Sequence, residues 1–431
     1  MRIAFYTLGC KVNQYETQAL EQLFSARGHE IVPFEGDADA YLINTCTVTA
    51  VSDKKSRQVI RRARKTAPDA VIAVCGCYPQ THPGDVEKLG VDLIGGTGDR
   101  TGFVELLERT VRERQPFTAL DDAFQRRGFE QLPAGGLEGR TRAMLKIEDG
   151  CTNFCSYCII PYARGRVRSL PVEQAAEQAR RLAEQGYQEI VLTGIEISSW
   201  GQDLPEHPEL IQLLEGLCQA LPEGVRLRMG SLEPRTITED FCRRASKLPQ
   251  LCPHFHLSMQ SGCDTVLQRM NRKYDSNRYY ESVKLLNEHF STPAITTDLI
   301  VGFPGETEEE FLQTLAFIQK CQFSAMHIFP YSRRPGTPAD KLPGQQPNAV
   351  KEDRAHRSAA VAIEMEHRYL DQWVGQAVPV LFEEERDGRW VGHTPQYLAV
   401  AAVGDTPLHN CLRQVRIQAR QGEMLVGEVE L

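Results

Sequence analysis

Apolar runs of four to six residues alternate with amphipathic stretches along most of this chain, and the spacing predicts where strands and helices fall. Ile3 to Leu8, Ala40 to Asn44, Val71 to Val74 and Val91 to Ile94 read as buried strands, while Gln18 to Ala26 and Ser56 to Lys65 read as helices. Strands alternating with helices predict a parallel-sheet α/β domain. After a loop at Pro133, Gly135 and Gly136, the pattern resumes: Ala143 to Ile147, Glu189 to Leu192, Arg226 to Met229, His254 to Ser258, Ala294 to Ile300 and Ser324 to Phe329 are strands with helices between them. Six such units predict a (β/α)6 partial barrel with its functional residues at the strand ends. Pro335, Pro338, Pro343 and Pro347 mark a linker, and Val350 to Trp373 is a long charged helix. The remainder is strand-rich. Val378 to Phe382, Arg389 to Thr394, Tyr397 to Val403, Leu412 to Ile417 and Met424 to Val429, with Asp387-Gly388 as a hairpin turn, predict a small barrel that either binds RNA or packs between domains. The domains expected are residues 1–136, 137–368 and 369–431.

Cysteines give this scaffold its chemistry. Cys151, Cys155 and Cys158 form a C-x3-C-x2-C run with no fourth cysteine close by. Three thiolates on a four-iron cluster leave one iron open to a small molecule. A structural zinc site calls for four ligands, and an odd total of 13 cysteines does not suit a disulfide framework. Cys10, Cys46 and the pair Cys75 and Cys77 fall where N-terminal strands should end, the edge at which open α/β sheets bind ligands. Those thiols either converge on a ligand or are small buried hydrophobes. Cys218, Cys242, Cys252, Cys263, Cys321 and Cys411 have no ligand spacing and read as structural.

Composition narrows the partners. A net charge of −8 argues against indiscriminate nucleic-acid binding but leaves room for a local basic face. Lys54, Arg57, Arg61 and Arg64 recur at helical spacing, either to meet a phosphate backbone or as a solvated surface. The opening residues lack a secretory or membrane-spanning stretch, so the expected compartment is the cytoplasm and no membrane is expected as a partner.

Seven motifs, in order, carry a resemblance over essentially the whole length: L-G-C-K-V-N-Q-Y-E at Leu8 to Glu16, N-T-C-T-V at Asn44 to Val48, G-C-Y-P-Q at Gly76 to Gln80, G-C-T-N-F-C-S-Y-C-I-I-P-Y-A-R-G-R at Gly150 to Arg166, L-S-M-Q-S-G at Leu257 to Gly262, T-D-L-I-V-G-F-P-G-E-T at Thr297 to Thr307, and P-Y-S-R-R-P-G-T-P-A at Pro330 to Ala339. The chain resembles the radical S-adenosylmethionine methylthiotransferases, most closely the tRNA branch that modifies threonylcarbamoyladenosine. The resemblance implies two 4Fe-4S clusters. One, on Cys151, Cys155 and Cys158, chelates S-adenosylmethionine and drives its cleavage to a 5′-deoxyadenosyl radical. The other, on Cys10, Cys46 and Cys77, carries the sulfur to be transferred; Cys77 rather than Cys75 occupies the family's G-C position. A first S-adenosylmethionine methylates that sulfur and a second supplies the radical that takes hydrogen from adenine C2.

By the same resemblance, Thr193, Gly194 and Glu196 lie near the methionine amino group, Ser231 and Glu233 meet its carboxylate or the ribose, and Gln260, Asp298 and Val301 line the pocket. Phe329 and Tyr331 approach the adenine, and Arg164 steadies the cofactor. The C-terminal barrel resembles a TRAM RNA-binding domain. The partners implied are a tRNA anticodon stem-loop, an external one-electron reductant such as flavodoxin, and a sulfur source. Other readings are a methylthiotransferase for isopentenyladenosine tRNA or for a ribosomal-protein aspartate, and a non-catalytic iron-sulfur protein.

Overall fold

A computed structural model of the chain describes residues 1–135, 141–404 and 406–430. Gly136 and the expected domain boundary beside it lie outside the described residues. The N-terminal unit is a parallel sheet of β1 (Arg2–Thr7), β2 (Glu30–Val32), β3 (Ala40–Thr45), β4 (Val71–Gly76), β5 (Leu93–Gly95) and β6 (Phe117–Ala119), in the order β2-β1-β3-β4-β5-β6. Helix α1 (Lys11–Ala26) and the helix Arg100–Glu113 cover one face, and α2 (Ala50–Thr66) covers the other. The two-residue period of a strand sorts side chains between these faces. Val71, Ala73 and Cys75 join Leu20, Phe24 and Leu107 on the α1 side, whereas Ile72 and Val74 join Val59 and Ile60 on the α2 side. Burial of each Val, Ile, Leu or Phe among them contributes roughly 1.5–3 kcal/mol. Strands β2 and β6 were not expected from the sequence. Each has three residues, too few for a period to declare itself.

The central unit begins with β7 (Arg142–Lys146) and a two-stranded ribbon, β8 (Glu148–Asp149) with β9 (Arg168–Ser169), that frames the cysteine loop. Parallel strands β10 (Glu189–Thr193) and β11 (Arg226–Arg228) continue the sheet from β7. A second parallel sheet runs β12 (Ser231–Leu232), β13 (His254–Leu257), β14 (Ala294–Val301), β15 (Ala325–Pro330). Only Met229 and Gly230 separate β11 from β12, so one extended segment belongs to both sheets and the six expected strand positions run on in order. Helices Val172–Glu184, Leu210–Ala220, Ser276–His289 and Glu308–Cys321 bury their apolar faces against the sheets in one large core.

Helix Asn348–Asp371 leads to β16 (Ala377–Arg386), β17 (Arg389–His393), β18 (Ala399–Val403), β19 (Leu412–Gln421) and β20 (Met424–Val429), which close into a barrel in the order β16-β17-β18-β20-β19. Asp387 and Gly388, with φ of 50° and 73°, make the expected hairpin turn between β16 and β17.

The proline-rich stretch corrects one expectation. Residues 330–347 are packed rather than a free linker: Arg334, Thr337 and Ala339 are buried, and Arg334 donates to Asp53 and to Thr47 Oγ1, both at 2.6 Å. Ala50 N–H also donates to Ser332 Oγ at 3.1 Å. Prolines lower the entropy lost on ordering such a segment, so the run Pro335 to Pro347 serves as a clamp between the first two units. Among the described residues no helix is long and apolar enough to cross a membrane.

Candidate active site

The C-x3-C-x2-C loop is held at both ends. Gly150, at φ 99°, passes so close to the returning chain that a Cβ there would sit 1.9 Å from Arg166 O, and Cys151 N–H donates to Gly165 O at 3.0 Å. Ser156 pins the middle through its N–H to Met270 O and its hydroxyl to Arg269 O. Burial raises the Cys158 thiol to about 12, and Cys155 beside it pushes the same way; burial likewise drives Cys151 upward. Thiols held protonated in this way give up their protons only to a strong partner, such as a metal ion.

Arg272 was not anticipated. Almost fully buried, it donates to Cys155 Sγ at 3.2 Å and to Glu233 Oε1 at 2.5 Å, and so joins a cysteine of the loop to a residue expected on the cofactor. Its sequence neighbourhood, Met270 to Tyr274, has no metal-ligand spacing, which is why it passed unnoticed.

The second trio stands at three strand ends. Cys10 caps α1 just beyond β1, Cys46 follows β3, and Cys77 opens the short helix α3 (Cys77–Thr81) just beyond β4. Gly76 makes the last turn possible: at φ 101°, a Cβ there would lie 2.5 Å from Asn44 Oδ1 and Thr45 O. Burial raises Cys77 to about 12; Arg164 opposes the shift, and the neighbouring thiols of Cys10 and Cys46 reinforce it. Cys75 faces the opposite way. It lies in the core with Leu20 and Leu93, and its electrostatic neighbours are Arg100, Glu16 and Arg164 rather than the other two thiols. Among the described residues no three Cys, His, Asp or Glu side chains gather around a single metal ion. A four-iron cluster makes no such demand, because each iron takes its own thiolate.

Between the trios lies a buried ion cluster. Glu16, one turn and a half into the helix that Cys10 caps, accepts from Arg100 at 2.7 Å, from Lys146 at 3.0 Å and from Arg164. Burial alone would raise this carboxyl, yet Arg100, Arg164 and Lys146 together hold it well below the usual range. Asp149 accepts from Lys146 at 2.8 Å and pairs with Arg168 at 3.2 Å. Arg164 ends the helix that follows Cys158; it also donates to Asn13 Oδ1 at 2.9 Å and pairs with Asp149 at 3.5 Å. The side chain expected to steady the cofactor is thus turned into the N-terminal unit, where it fastens the two cysteine loops to each other.

The remaining expected residues divide into two groups. Thr193 ends β10 and Gly194 comes directly after it; Glu196 follows, its N–H donating to Glu148 Oε2 at 2.7 Å. Burial and the Glu233 carboxylate push Glu196 up to about 8, and burial pushes Glu148 well above the carboxylate range while its Oε1 has no hydrogen-bond partner among the described residues. Glu233 has its cation in Arg272, but Glu148 and Glu196 have no ion pair among the described residues, an arrangement that could hold a cationic group such as an ammonium. Ser231 and Asp298 instead line a 490 Å³ cavity inside the strand array, together with Lys11, His256, Thr296 and His327. Gln260, at φ 66°, bridges to β14 through its backbone, with its N–H on Asp298 O and its O receiving Ile300 N–H.

Val301 stands apart from that cavity. It is buried in the helix-side core with Leu299 and Phe311, because the strand period places it on the face opposite Asp298 and Ile300. Only its backbone is available to a ligand. Tyr331 is buried against Phe303, ring centroids 5.3 Å apart, with its hydroxyl unpartnered among the described residues, whereas Phe329 is 47% exposed.

The basic helix is likewise only partly free. Arg57 donates to Tyr78 Oη at 2.9 Å and Arg64 is bound to Gly90 O and Asp92, which removes both from the face expected to carry phosphate contacts. Lys54, Lys55, Arg61 and Lys65 remain exposed.

The thiol loop and the strand array around it define a radical S-adenosylmethionine protein, and the sequence pattern of the Radical SAM superfamily matches residues 145–318. That of the uncharacterized protein family UPF0004 matches residues 2–96. The chain is 42% identical to the threonylcarbamoyladenosine tRNA methylthiotransferase MtaB of Bacillus subtilis over 96% of its length and 93% of the relative's. Identity to the protein of the same description from Aquifex aeolicus is 36%, over 89% and 93%. With the tRNA-2-methylthio-N(6)-dimethylallyladenosine synthase of Moorella thermoacetica it is 34%, over 98% and 97%. In fold, the radical S-adenosylmethionine methyltransferase TsrM of Kitasatospora setae is similar at a TM-score of 0.58 and 18% identity, over 78% of this chain and 74% of that one. The chain belongs to the MtaB family of tRNA methylthiotransferases.

Proposed function

We propose that this chain replaces the C2 hydrogen of threonylcarbamoyladenosine in a tRNA anticodon loop with a methylthio group. The observation that carries the reading is the pairing of two cysteine trios across one interface, in a chain similar along its length to MtaB. Two 4Fe-4S clusters, when bound, supply the electron that opens the sulfonium of S-adenosylmethionine and the site that holds the sulfur. Cys151, Cys155 and Cys158 would hold the first and Cys10, Cys46 and Cys77 the second. The orphaned acid at Glu148 and the raised carboxyl of Glu196 support a cationic ligand beside Cys151, and Thr193, Gly194 and Glu233 complete that end. Arg272 orients Glu233 and shields Cys155 from water. Ser231, Gln260 and Asp298 face the substrate side, and Phe329 and Tyr331 flank the adenine.

We read the six strand positions as a partial barrel and the domains as 1–136, 137–368 and 369–431, with the last as a TRAM-like RNA grip. Free thiolate ligands call for a reducing compartment, which supports the cytoplasm. A one-electron reductant such as flavodoxin and a sulfur source complete the cycle. The test is mass spectrometry of nucleosides from cells lacking the gene. Loss of the methylthio form with accumulation of threonylcarbamoyladenosine is expected, and restoration by a Cys77→Ala copy would overturn the assignment of the second trio.

A further inference from the structure

Lys11 has no job in the scheme above. It is the first residue of α1, directly after Cys10, and it is exposed into the 490 Å³ cavity whose walls carry Ser231, His256, Thr296, Asp298 and His327. That volume is within the range of small-molecule sites, about 300–1,000 Å³. Among the described residues the Lys11 ammonium has neither an ion pair nor a hydrogen bond. The Glu189 carboxylate is not available to it, being gripped by Arg228 at 2.7 and 2.8 Å. Asp298 is faced by His256 at 3.4 Å, and the other cavity carboxyls, Glu366 and Glu423, make no pair with Lys11. A half-enclosed cation without a counter-ion is a place for an anion.

The chemistry of the base says which anion. On adenine, C2 and the carbon bearing N6 both flank N1, so a substituent on N6 lies along the same edge as the carbon that receives sulfur. A residue adjacent in sequence to a ligand of the sulfur-bearing cluster is therefore placed to meet that substituent. A threonylcarbamoyl group ends in a carboxylate and carries a hydroxyl; a dimethylallyl group has neither and would leave Lys11 unpaired against hydrocarbon.

We infer that Lys11 is the specificity-determining residue that selects an N6 substituent bearing a carboxylate, with the hydroxyl and imidazole groups of Ser231, Thr296 and His327 lining the same pocket for the rest of that substituent. This rests on the substrate reading under Proposed function. The experiment uses cluster-reconstituted full-length enzyme and three anticodon stem-loops, carrying threonylcarbamoyladenosine, its threoninamide analogue, or plain adenosine. Affinity and methylthiolation kcat/KM are measured for each. Wild type should prefer the acid over the amide by about ten- to a hundredfold, the range of a charge-assisted hydrogen bond. Lys11→Gln should treat acid and amide alike, and Lys11→Arg should restore most of the gap. Equal treatment of acid and amide by wild type, or a gap that survives in Lys11→Gln, overturns the inference. The first of these needs no variant to fold. If wild type prefers the threonylcarbamoyl loop to plain adenosine yet ignores the acid-to-amide change, this inference alone falls; if it turns over plain adenosine as readily, the substrate reading falls with it.

Discussion

Two buried glutamates, Glu16 and Glu189, each sit at an interface between units of this chain, and they are partnered in different ways. Glu16 is held by cations from three separate segments: Arg100 in the N-terminal unit, and Lys146 and Arg164 in the central one. Glu189 is held by arginines of the adjacent strand, Arg228 at 2.7 Å and Arg226 at 3.8 Å. Those arginines then reach the C-terminal barrel through its carbonyl oxygens, Arg228 to Pro395 and Thr394, Arg226 to His393 and Pro379. The first interface is charge against charge. The second is a self-contained ion pair that offers spare hydrogen bonds to its neighbour, with Arg142 to Glu383 the added ion pair across it. Removing a buried charge strands its partners, whereas carbonyl contacts can be exchanged for water. The joint around the cysteines should therefore be rigid, and the joint to the barrel should be separable.

The largest effect is expected at the first joint. Glu16→Ala leaves Arg100, Lys146 and Arg164 without their shared anion and should cost about 3–5 kcal/mol. Urea denaturation of the protein compared with Glu189→Ala, in which the arginines keep their barrel carbonyls, sharpens the contrast; an equal or greater cost at Glu189 would break it. The pH dependence follows with its sign fixed. Because the folded protein holds Glu16 below its ordinary 4.5, its contribution is present above that value and is lost as pH falls through the lower folded one. The acid limb of the stability profile should flatten in Glu16→Gln.

Next comes the separable joint. Deleting residues after 373 should leave a folded protein that still cleaves S-adenosylmethionine, with tRNA affinity down tenfold or more and a shallower salt dependence. A truncated chain that precipitates or loses iron would show that the barrel joint is structural after all.

Cysteine substitutions give a smaller, local difference. Cys77→Ala should halve the iron content after anaerobic reconstitution, while Cys75→Ala, a small cavity between α1 and β4, should keep both clusters at a cost of about 1 kcal/mol. Iron and sulfide assays separate the two. The smallest effect belongs to α2: Lys54→Ala with Arg61→Ala should weaken tRNA binding and reduce its salt slope by roughly two, while Arg57→Ala, already committed to Tyr78, should leave the slope unchanged.

Much of this was legible in the sequence because it is carried by local order. The six central strands, the thiol spacing and the Asp387-Gly388 turn depend on residues near one another in the chain. What stayed hidden depends on distance. Glu16 and Arg164 are 148 residues apart, and neither is unusual in its own neighbourhood until the fold buries both. Arg272 lies 117 residues from Cys155. The motif Thr297 to Thr307 marks a segment and not a face, so it could not tell that the Val301 side chain is buried on the side opposite Asp298. The proline run from 335 to 347 was misread because proline lowers the entropy of a free linker and of a packed clamp alike, and only Arg334 meeting Asp53 tells them apart.

The ion cluster around Glu16 also has a direction in time. As the chain is made, Arg100 follows Glu16 within the N-terminal sheet unit, whereas Lys146 and Arg164 leave the ribosome later. The early unit can fold with one of its three counter-charges in place, and Cys10, Cys46 and Cys77 then stand at an edge that Arg164 has not yet closed. The interval between those two events is the period in which those three thiols are most open to solvent. Closure by Arg164 afterwards makes the finished site the last part of the joint to form.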